Sequence, residues 1–394
     1  MRIGILDHTA GLGGAQLVVS RMVGVLASKY DVELIHNSTP DYVAKLASAF
    51  SLNLGKARER RLPQLKSSFN VPGAGSIFTQ SRRDIRRLSE PYDVFIYSGH
   101  GIPPRCFAPG GIVYCHFPIE SSPLNSLRTS AEWARQTPVA RAIKTKAYEW
   151  EWRSRTRNYR QIFANSRFTA EWIERRWDRA SEVLYPPIDV VAPALEKRNV
   201  IVSVGRVTGE SRSKNQVVQV RAFREFLKQV RNPWILRMIG SCGDTPKDRE
   251  YAAAIRREAN GLPIELFFNA RHDVVLELLA TAKVFWHTTG LDVDEAQQPE
   301  RAEHFGIATV EAMGAGCLPV VVASGGQREI IQDGDSGFLI KNLQDLVQQS
   351  IRLASDEALA NRMRERARLQ STAFRGEFFE QRLMKAVDQS VQQR

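Results

Sequence analysis

The sequence predicts an α/β chain of two parallel-sheet domains, each a sheet flanked by helices. Length is the first reason. At 394 residues the chain exceeds one ordinary core and fits two domains of about 150 to 200 residues. The second reason is pattern: short β-branched runs alternate from end to end with stretches of helical periodicity, as in parallel strands joined by helical crossovers. The third is a break at 186–193, where Pro186, Pro187 and Pro193 interrupt regular structure and mark the join.

In the first half, strands are expected at 2–6, 32–36, 94–97, 112–115 and 161–164. The first runs into a glycine-rich turn ending in Gly13 and Gly14, which opens a helix rich in Val, Leu and Met. In the second half, strands are expected at 200–204, 234–239, 264–268, 283–287, 317–322 and 337–340. Helices at 216–230 and 274–282 carry apolar residues at helical spacing. Residues 341–394 read as helix alone. The expected division is 1–190 and 191–373, with a last helix at 374–394 returning to the first domain. No internal repeat stands out.

Hydrophobic residues make up 43% and charged residues 25% of the chain, the balance of a water-soluble protein. No apolar run approaches the roughly 18 to 20 residues of a membrane span, and the first is shorter than a signal-peptide core. A cytoplasmic protein is expected. Cys106, Cys115, Cys242 and Cys317 form no CxxC pair, which argues against a disulfide framework or a zinc site. The net charge of +12 is concentrated early, since residues 1–200 hold 29 Lys and Arg against 18 Asp and Glu. Its groups are Arg58, Arg60, Arg61 and Lys66, then Arg82, Arg83, Arg86 and Arg87, then Arg153, Arg155, Arg157 and Arg160 set among Trp150, Trp152 and Tyr159. Basic residues mixed with aromatics attract anionic lipid headgroups, phosphorylated acceptors or nucleic acid. No zinc-finger spacing or RNP-like aromatic strand accompanies them, so nucleic acid is not expected as a partner. Peripheral contact with the anionic inner face of a membrane is retained.

Glu311 is the single charged residue from Gly306 to Val322. A carboxylate taken into an apolar helix–strand unit needs hydrogen-bond donors or it protonates, and a polyhydroxylated ligand supplies donors. Arg206 follows the strand at 200–204 and Lys214 precedes the helix at 216–230. Two cations are thereby set at the carboxyl edge of the second sheet, where open α/β sheets bind ligands. A diphosphate could be neutralised there without a metal. In the first half, Gly13 and Gly14 let backbone approach a phosphate at a helix N-terminus, although the spacing is not GxGxxG and the 20 or so residues beyond offer only Asp31 and Glu33, neither at a clear ribose-binding position. His116 follows the strand at 112–115, and a lone histidine there is more often structural than catalytic. Asp292-Val-Asp294 has the DxD form of a metal-holding loop, but it lies in a polar insert at 290–301 with no ordering context and is read as a loop. The seven histidines show no HExxH spacing, and no Gly-x-Ser-x-Gly elbow occurs, so zinc and serine hydrolysis are not expected.

With Arg206, Lys214, Glu303 and Glu311 in view, the chain resembles the GT-B glycosyltransferases of family four, retaining enzymes that use nucleotide-sugar donors. Glu303 and Glu311 have that family's E-x7-E spacing, with Phe305-Gly306-Ile307 between them and Gly325-Gly326 beyond. Within the family, the wording is similar to the α-1,2-mannosyltransferases that elongate dolichol-linked oligosaccharides. It lies in His116-Phe-Pro118, Ala164-Asn-Ser-Arg-Phe-Thr169, Leu184-Tyr-Pro-Pro187, Ile239-Gly-Ser-Cys242 and Glu303-His-Phe-Gly306. The resemblance spans nearly the whole chain, thins between 40 and 90, and departs where the segment from Arg206 to Lys214 is longer than the family's common form.

The resemblance implies a GT-B fold, two Rossmann-like domains facing a central cleft, with the acceptor on the first and the nucleotide-sugar donor on the second. It places Glu311 on the ribose hydroxyls, Glu303 against the donor sugar, and Phe305, Gly306 and Ile307 as backbone N–H donors. Arg206 and Lys214 hold the diphosphate and stabilise charge growing on it as the glycosidic bond breaks. Arg271 and His304 join the donor-binding set, Gly13 and Gly14 bring backbone against the diphosphate or acceptor, and His116 borders the donor sugar. The implied reaction moves mannose from GDP-mannose to a saccharide or lipid-linked acceptor, with neither cofactor nor metal. A transferase using a UDP-sugar and a nucleotide-sugar epimerase share the fold and stand as alternatives, the epimerase disfavoured by the E-x7-E motif.

Overall fold

The computed structural model describes residues 1–7, 13–62, 82–119, 135–189, 195–209 and 214–392. Lys66, Pro193 and the start of the glycine-rich turn lie outside the described residues, as do the side chains of Arg82 and Arg83. Two compact units form, 1–185 with 377–394, and 186–376. The chain thus passes from the first unit to the second after Tyr185, at the head of the proline stretch, and returns after Gly376.

The first unit's strands are β1 (Arg2–Asp7), β2 (Asp31–His36), β3 (Arg58–Arg61), β4 (Val94–Gly99), β5 (Gly110–Cys115), β6 (Tyr159–Ala164) and β7 (Glu182–Val183). They pair in the order β3-β2-β1-β4-β5-β6-β7, every pair parallel. Every residue of β4 and β5 is buried, which is why strands covered by helices on both faces read as unbroken apolar runs. Two short edge strands, β3 and β7, have no such run. β3 is Arg-Glu-Arg-Arg, held by backbone pairing and by Arg58 on Asp31 at 2.8 Å, and its charges keep the sheet edge from pairing with another chain.

The second unit's strands are β8 (Arg198–Val204), β9 (Ile235–Gly240), β10 (Ile264–Phe268), β11 (Ala282–His287), β12 (Leu318–Val322) and β13 (Phe338–Ile340). Their order is β10-β9-β8-β11-β12-β13, again parallel throughout. Trp286 on β11 is fully buried, lies edge-on to Phe223 and Phe226 with ring centroids 6.3 Å away, and donates its indole N–H to Ser350 at 2.8 Å. Its truncation to alanine would cost about 3–5 kcal/mol.

Three helices end the chain, Leu343–Ser355, Glu357–Ser371 and Gly376–Gln392. The last belongs to the first unit because it carries a stripe of Phe379, Leu383, Ala386 and Val387, all essentially buried, at the spacing of one helix face. Phe379 meets Tyr114 edge-on at 5.8 Å, and the Tyr30 hydroxyl donates to Asp388 at 2.5 Å. All four cysteines are free thiols.

Strand order reverses between β1 and β4 in the first sheet and between β8 and β11 in the second. Ligands of open α/β sheets bind outside the carboxyl ends of the strands at such reversals. In the second unit that position is bordered by the segments leaving β8 and β11.

Candidate active site

Past β8 the chain runs through Gly205 to Arg206, and Lys214 stands just ahead of the helix Gln216–Leu227. The Lys214 backbone is stapled to the exit of β11. Thr288 Oγ1 donates to the Lys214 carbonyl at 2.8 Å and accepts from Gln219 Nε2 at 2.8 Å, while Asn215 Nδ2 donates to the Thr288 carbonyl at 2.9 Å. This fixes the Lys214 stem so that Nζ reaches Glu303 Oε2 at 2.5 Å. His287, the last residue of β11, brings Nε2 to the same oxygen, also at 2.5 Å.

Burial alone would raise the Glu303 carboxyl, but the Lys214 ammonium and then the His287 contact hold it well below the usual carboxylate range. Burial lowers His287 despite the carboxylate beside it, so His287 is neutral and donates its Nε2–H to Glu303. The result is an ionised carboxylate fixed from two sides at the reversal point. Removing one member of such a buried pair typically costs about 3–5 kcal/mol.

From Glu303 the chain turns into the helix Ile307–Gly314. Phe305 anchors the turn, 2% exposed and edge-on to Phe374 at 5.5 Å. Gly306, ahead of the first helical residue, has φ +122°, and a Cβ there would lie 2.9 Å from Gln327 Nε2. Gly326 packs against the same turn, its N–H donating to the Glu303 carbonyl at 2.8 Å. A Cβ on Gly326 would lie 2.5 Å from the Phe305 Cα, and backbone cannot swing aside as a side chain can. Gly326→Ala should therefore cost about 1–3 kcal/mol and lower Tm by several degrees in calorimetry. Gly13→Ala is the control. Gly13 is in extended backbone, and among the described residues its added Cβ meets nothing nearer than 3.7 Å, so Tm should hold.

Glu311 is 6% exposed, not on a wet face. His272 Nε2 lies 3.4 Å from its Oε1, and burial pushes the carboxyl up to about 8. The carboxyl is neutral at pH 7 and becomes an acceptor-only group when donors arrive to favour its charge.

The other expected residues fall in different settings. Arg206 is exposed, with its carbonyl accepting from Gln216 Nε2 at 3.0 Å. Arg271 is exposed and paired with its near neighbour Asp273 at 3.0 Å, ahead of the helix His272–Thr281. His304 is half-buried between Glu303 and Phe305. Gly13, Gly14 and His116 belong to the first unit. His116 ends β5's exit buried, with Nε2 2.9 Å from Ser98 Oγ and its ring 5.2 Å from those of His100 and Tyr114. Burial pushes its imidazole down to about 3, so it is neutral at working pH.

Sequence reasoning missed His287 and Thr288. The available signal was an apolar strand ending in histidine, the same arrangement that drew notice to His116. The insert at 290–301 also needs correction, because it has the ordering context that the sequence did not reveal. Glu295 accepts the Gly325 N–H at 2.8 Å and pairs with Arg328 at 2.8 Å, which ties the insert to the loop that carries Gly326. Among the described residues no group of three His, Cys, Asp or Glu side chains is placed to hold a metal.

Residues 188–370 match the family described as Glycosyl transferases group 1, and the two parallel sheets have the GT-B fold of solved glycosyltransferases. The chain is 28% identical over 249 residues to the human GDP-Man:Man(3)GlcNAc(2)-PP-Dol alpha-1,2-mannosyltransferase, covering 58% of this chain and 48% of that protein. The Dictyostelium discoideum enzyme of the same name is 25% identical over 256 residues, covering 59% and 48%. The chain thus spans about half the length of these curated relatives. Among solved structures, the fold is that of Anabaena HepE in complex with UDP-glucose, with a TM-score of 0.65, 15% identity, and 99% and 100% of the two chains covered. WaaG, a glycosyltransferase involved in lipopolysaccharide biosynthesis, superposes with a TM-score of 0.63 at 15% identity, covering 98% of each chain.

Proposed function

We propose that this chain is a glycosyltransferase that moves a hexose, mannose from GDP-mannose, to a saccharide or lipid-linked acceptor in glycan assembly, with retained anomeric configuration and without a metal. The observation that carries the proposal is the Lys214–Glu303–His287 cluster at the β8/β11 reversal. Arg206 and Lys214 would hold the diphosphate, and the Lys214 ammonium would stabilise the charge that grows on it as the sugar leaves. Glu303, kept ionised, would accept a hydroxyl of the donor sugar. Glu311 would accept the ribose hydroxyls, and Phe305, Gly306 and Ile307 would present backbone N–H groups at the helix start. The acceptor hydroxyl would attack the face the nucleotide leaves, passing its proton to a leaving phosphate oxygen. No carboxylate base is needed. The first unit, with neutral His116 at a strand end, is assigned to the acceptor.

Mannose and guanine rest on the likeness to the GDP-Man enzymes. The HepE complex makes UDP-glucose the comparison donor. Incubating the chain with either donor, with and without a mannose-terminated oligosaccharide and with EDTA present, should give an α-linked product by NMR from GDP-mannose only when acceptor is added. Turnover confined to UDP-glucose would overturn the mannose assignment. Epimerised nucleotide sugar formed without acceptor would overturn the transferase reading.

A further inference from the structure

The basic and aromatic residues near 150–160 do not form one surface. Trp152 and Tyr159 are in the core, 7% and 1% exposed, with Trp152 edge-on to Trp177 at 6.1 Å. Arg155 is spent on buried Glu151 at 2.8 Å, and Arg105 binds the same carboxylate. These contacts fix one face of the helix Pro138–Thr156 against the first unit. The opposite face is different in kind. Val139, Ile143 and Trp150 are 69%, 65% and 53% exposed, and Lys146 and Arg153 are exposed between and beyond them. Spacings of four, three, four and three put these five side chains on one helix face. Exposed Arg157 continues the row, and the Arg105 guanidinium lies 5.2 Å over the Trp150 ring. The stripe holds no acid.

We propose that this outer face of the helix Pro138–Thr156 docks the protein flat on an anionic membrane surface. From 139 to 153 the stripe is about 21 Å long at the α-helical rise. Three apolar side chains, one of them the tryptophan suited to the headgroup boundary, would enter the interface while the cations meet lipid phosphates. Charge selects this occupant over a second copy of the chain, because self-pairing would set Lys146 and Arg153 against like charges. No described helix is long and apolar enough to cross a membrane, so the contact is peripheral. The inference does not depend on which nucleotide sugar is used.

The test is flotation of the full chain with phosphatidylcholine vesicles, plain or containing phosphatidylglycerol, at low and high salt. The wild-type protein should float with the anionic vesicles, and salt should weaken that binding. Both I143S/W150S and K146E/R153E should lower partitioning by at least about tenfold, the scale expected for removing two lipid-facing groups. All five side chains point outward, so Tm and nucleotide-induced thermal shifts should stay at wild-type values, which separates this test from the donor reading. Wild-type flotation in both variants, or none in the parent, overturns the proposal. So does a wild-type dimer in sedimentation that I143S/W150S dissociates while vesicles bind neither protein.

Discussion

Replacing Lys214 by alanine is expected to lower kcat on the order of 10²- to 10³-fold, the range for losing one preorganised group that meets transition-state charge, measured as nucleotide release at saturating donor and acceptor. The same change should lower Tm, because Lys214 Nζ sits 2.5 Å from a buried Glu303 carboxylate and its loss leaves that charge with His287 alone. The two effects are separable. In the double variant Lys214→Ala/Glu303→Gln no uncompensated carboxylate remains, since a neutral amide can still accept the His287 N–H. Tm should recover, and kcat should stay well below that of Glu303→Gln alone. Recovery of both would make Lys214 a structural residue and remove it from the chemistry.

Glu311→Gln is expected to weaken nucleotide binding by about 10-fold or more, since hydrogen bonds to a charged partner contribute about 1.5–3 kcal/mol. The sharper signature is pH. With its carboxyl pushed up to about 8, wild-type Glu311 is protonated at pH 6.5, whereas ribose hydroxyls that donate to it favour the ionised form. Binding should therefore expel a proton, and affinity should climb by up to about tenfold per pH unit toward 8 and level off above it. In Glu311→Gln the slope should vanish. Its persistence there would place the titrating group elsewhere, and His272→Gln tests the neighbour 3.4 Å away. The stability effect has its own sign. A carboxyl raised on folding contributes stability that is complete below its ordinary range near 4.5 and is lost as pH rises through about 8. Wild-type Tm should fall between about pH 4.5 and 8 and level off above, while that of Glu311→Gln stays flatter.

How far these features could be read from sequence depends on where their physical cause lies. β4 and β5 were legible because both of their faces are buried and burial selects apolar runs. β3 was not, because Arg-Glu-Arg-Arg is held by ladder hydrogen bonds at an edge and by an ion pair to Asp31. Glu311 stood out as a single charge in an apolar segment, and the structure keeps it buried. His287 did not stand out, since its role depends on Glu303 arriving from a later segment to meet a strand end. Glu295 was hidden for the same reason: its partners Gly325 and Arg328 lie about 30 residues on. The row from Trp150 to Arg160 looked uniform in sequence, but helical rotation sends Trp152 inward and Trp150 outward. Periodicity finds faces, and contacts between distant segments decide what each face does.

The central claim is that a nucleoside diphosphate sits between Lys214 and Glu311 at the edge of the second sheet. Calorimetric titration of GDP and UDP into the wild-type chain and into Lys214→Ala and Glu311→Gln, in buffers of different ionisation enthalpy, tests it most directly. One-to-one binding of GDP to the wild type with proton release, weaker binding in both variants and no proton release in Glu311→Gln are expected. Failure of both nucleotides to bind the folded wild-type protein, or wild-type affinity in both variants, would contradict it.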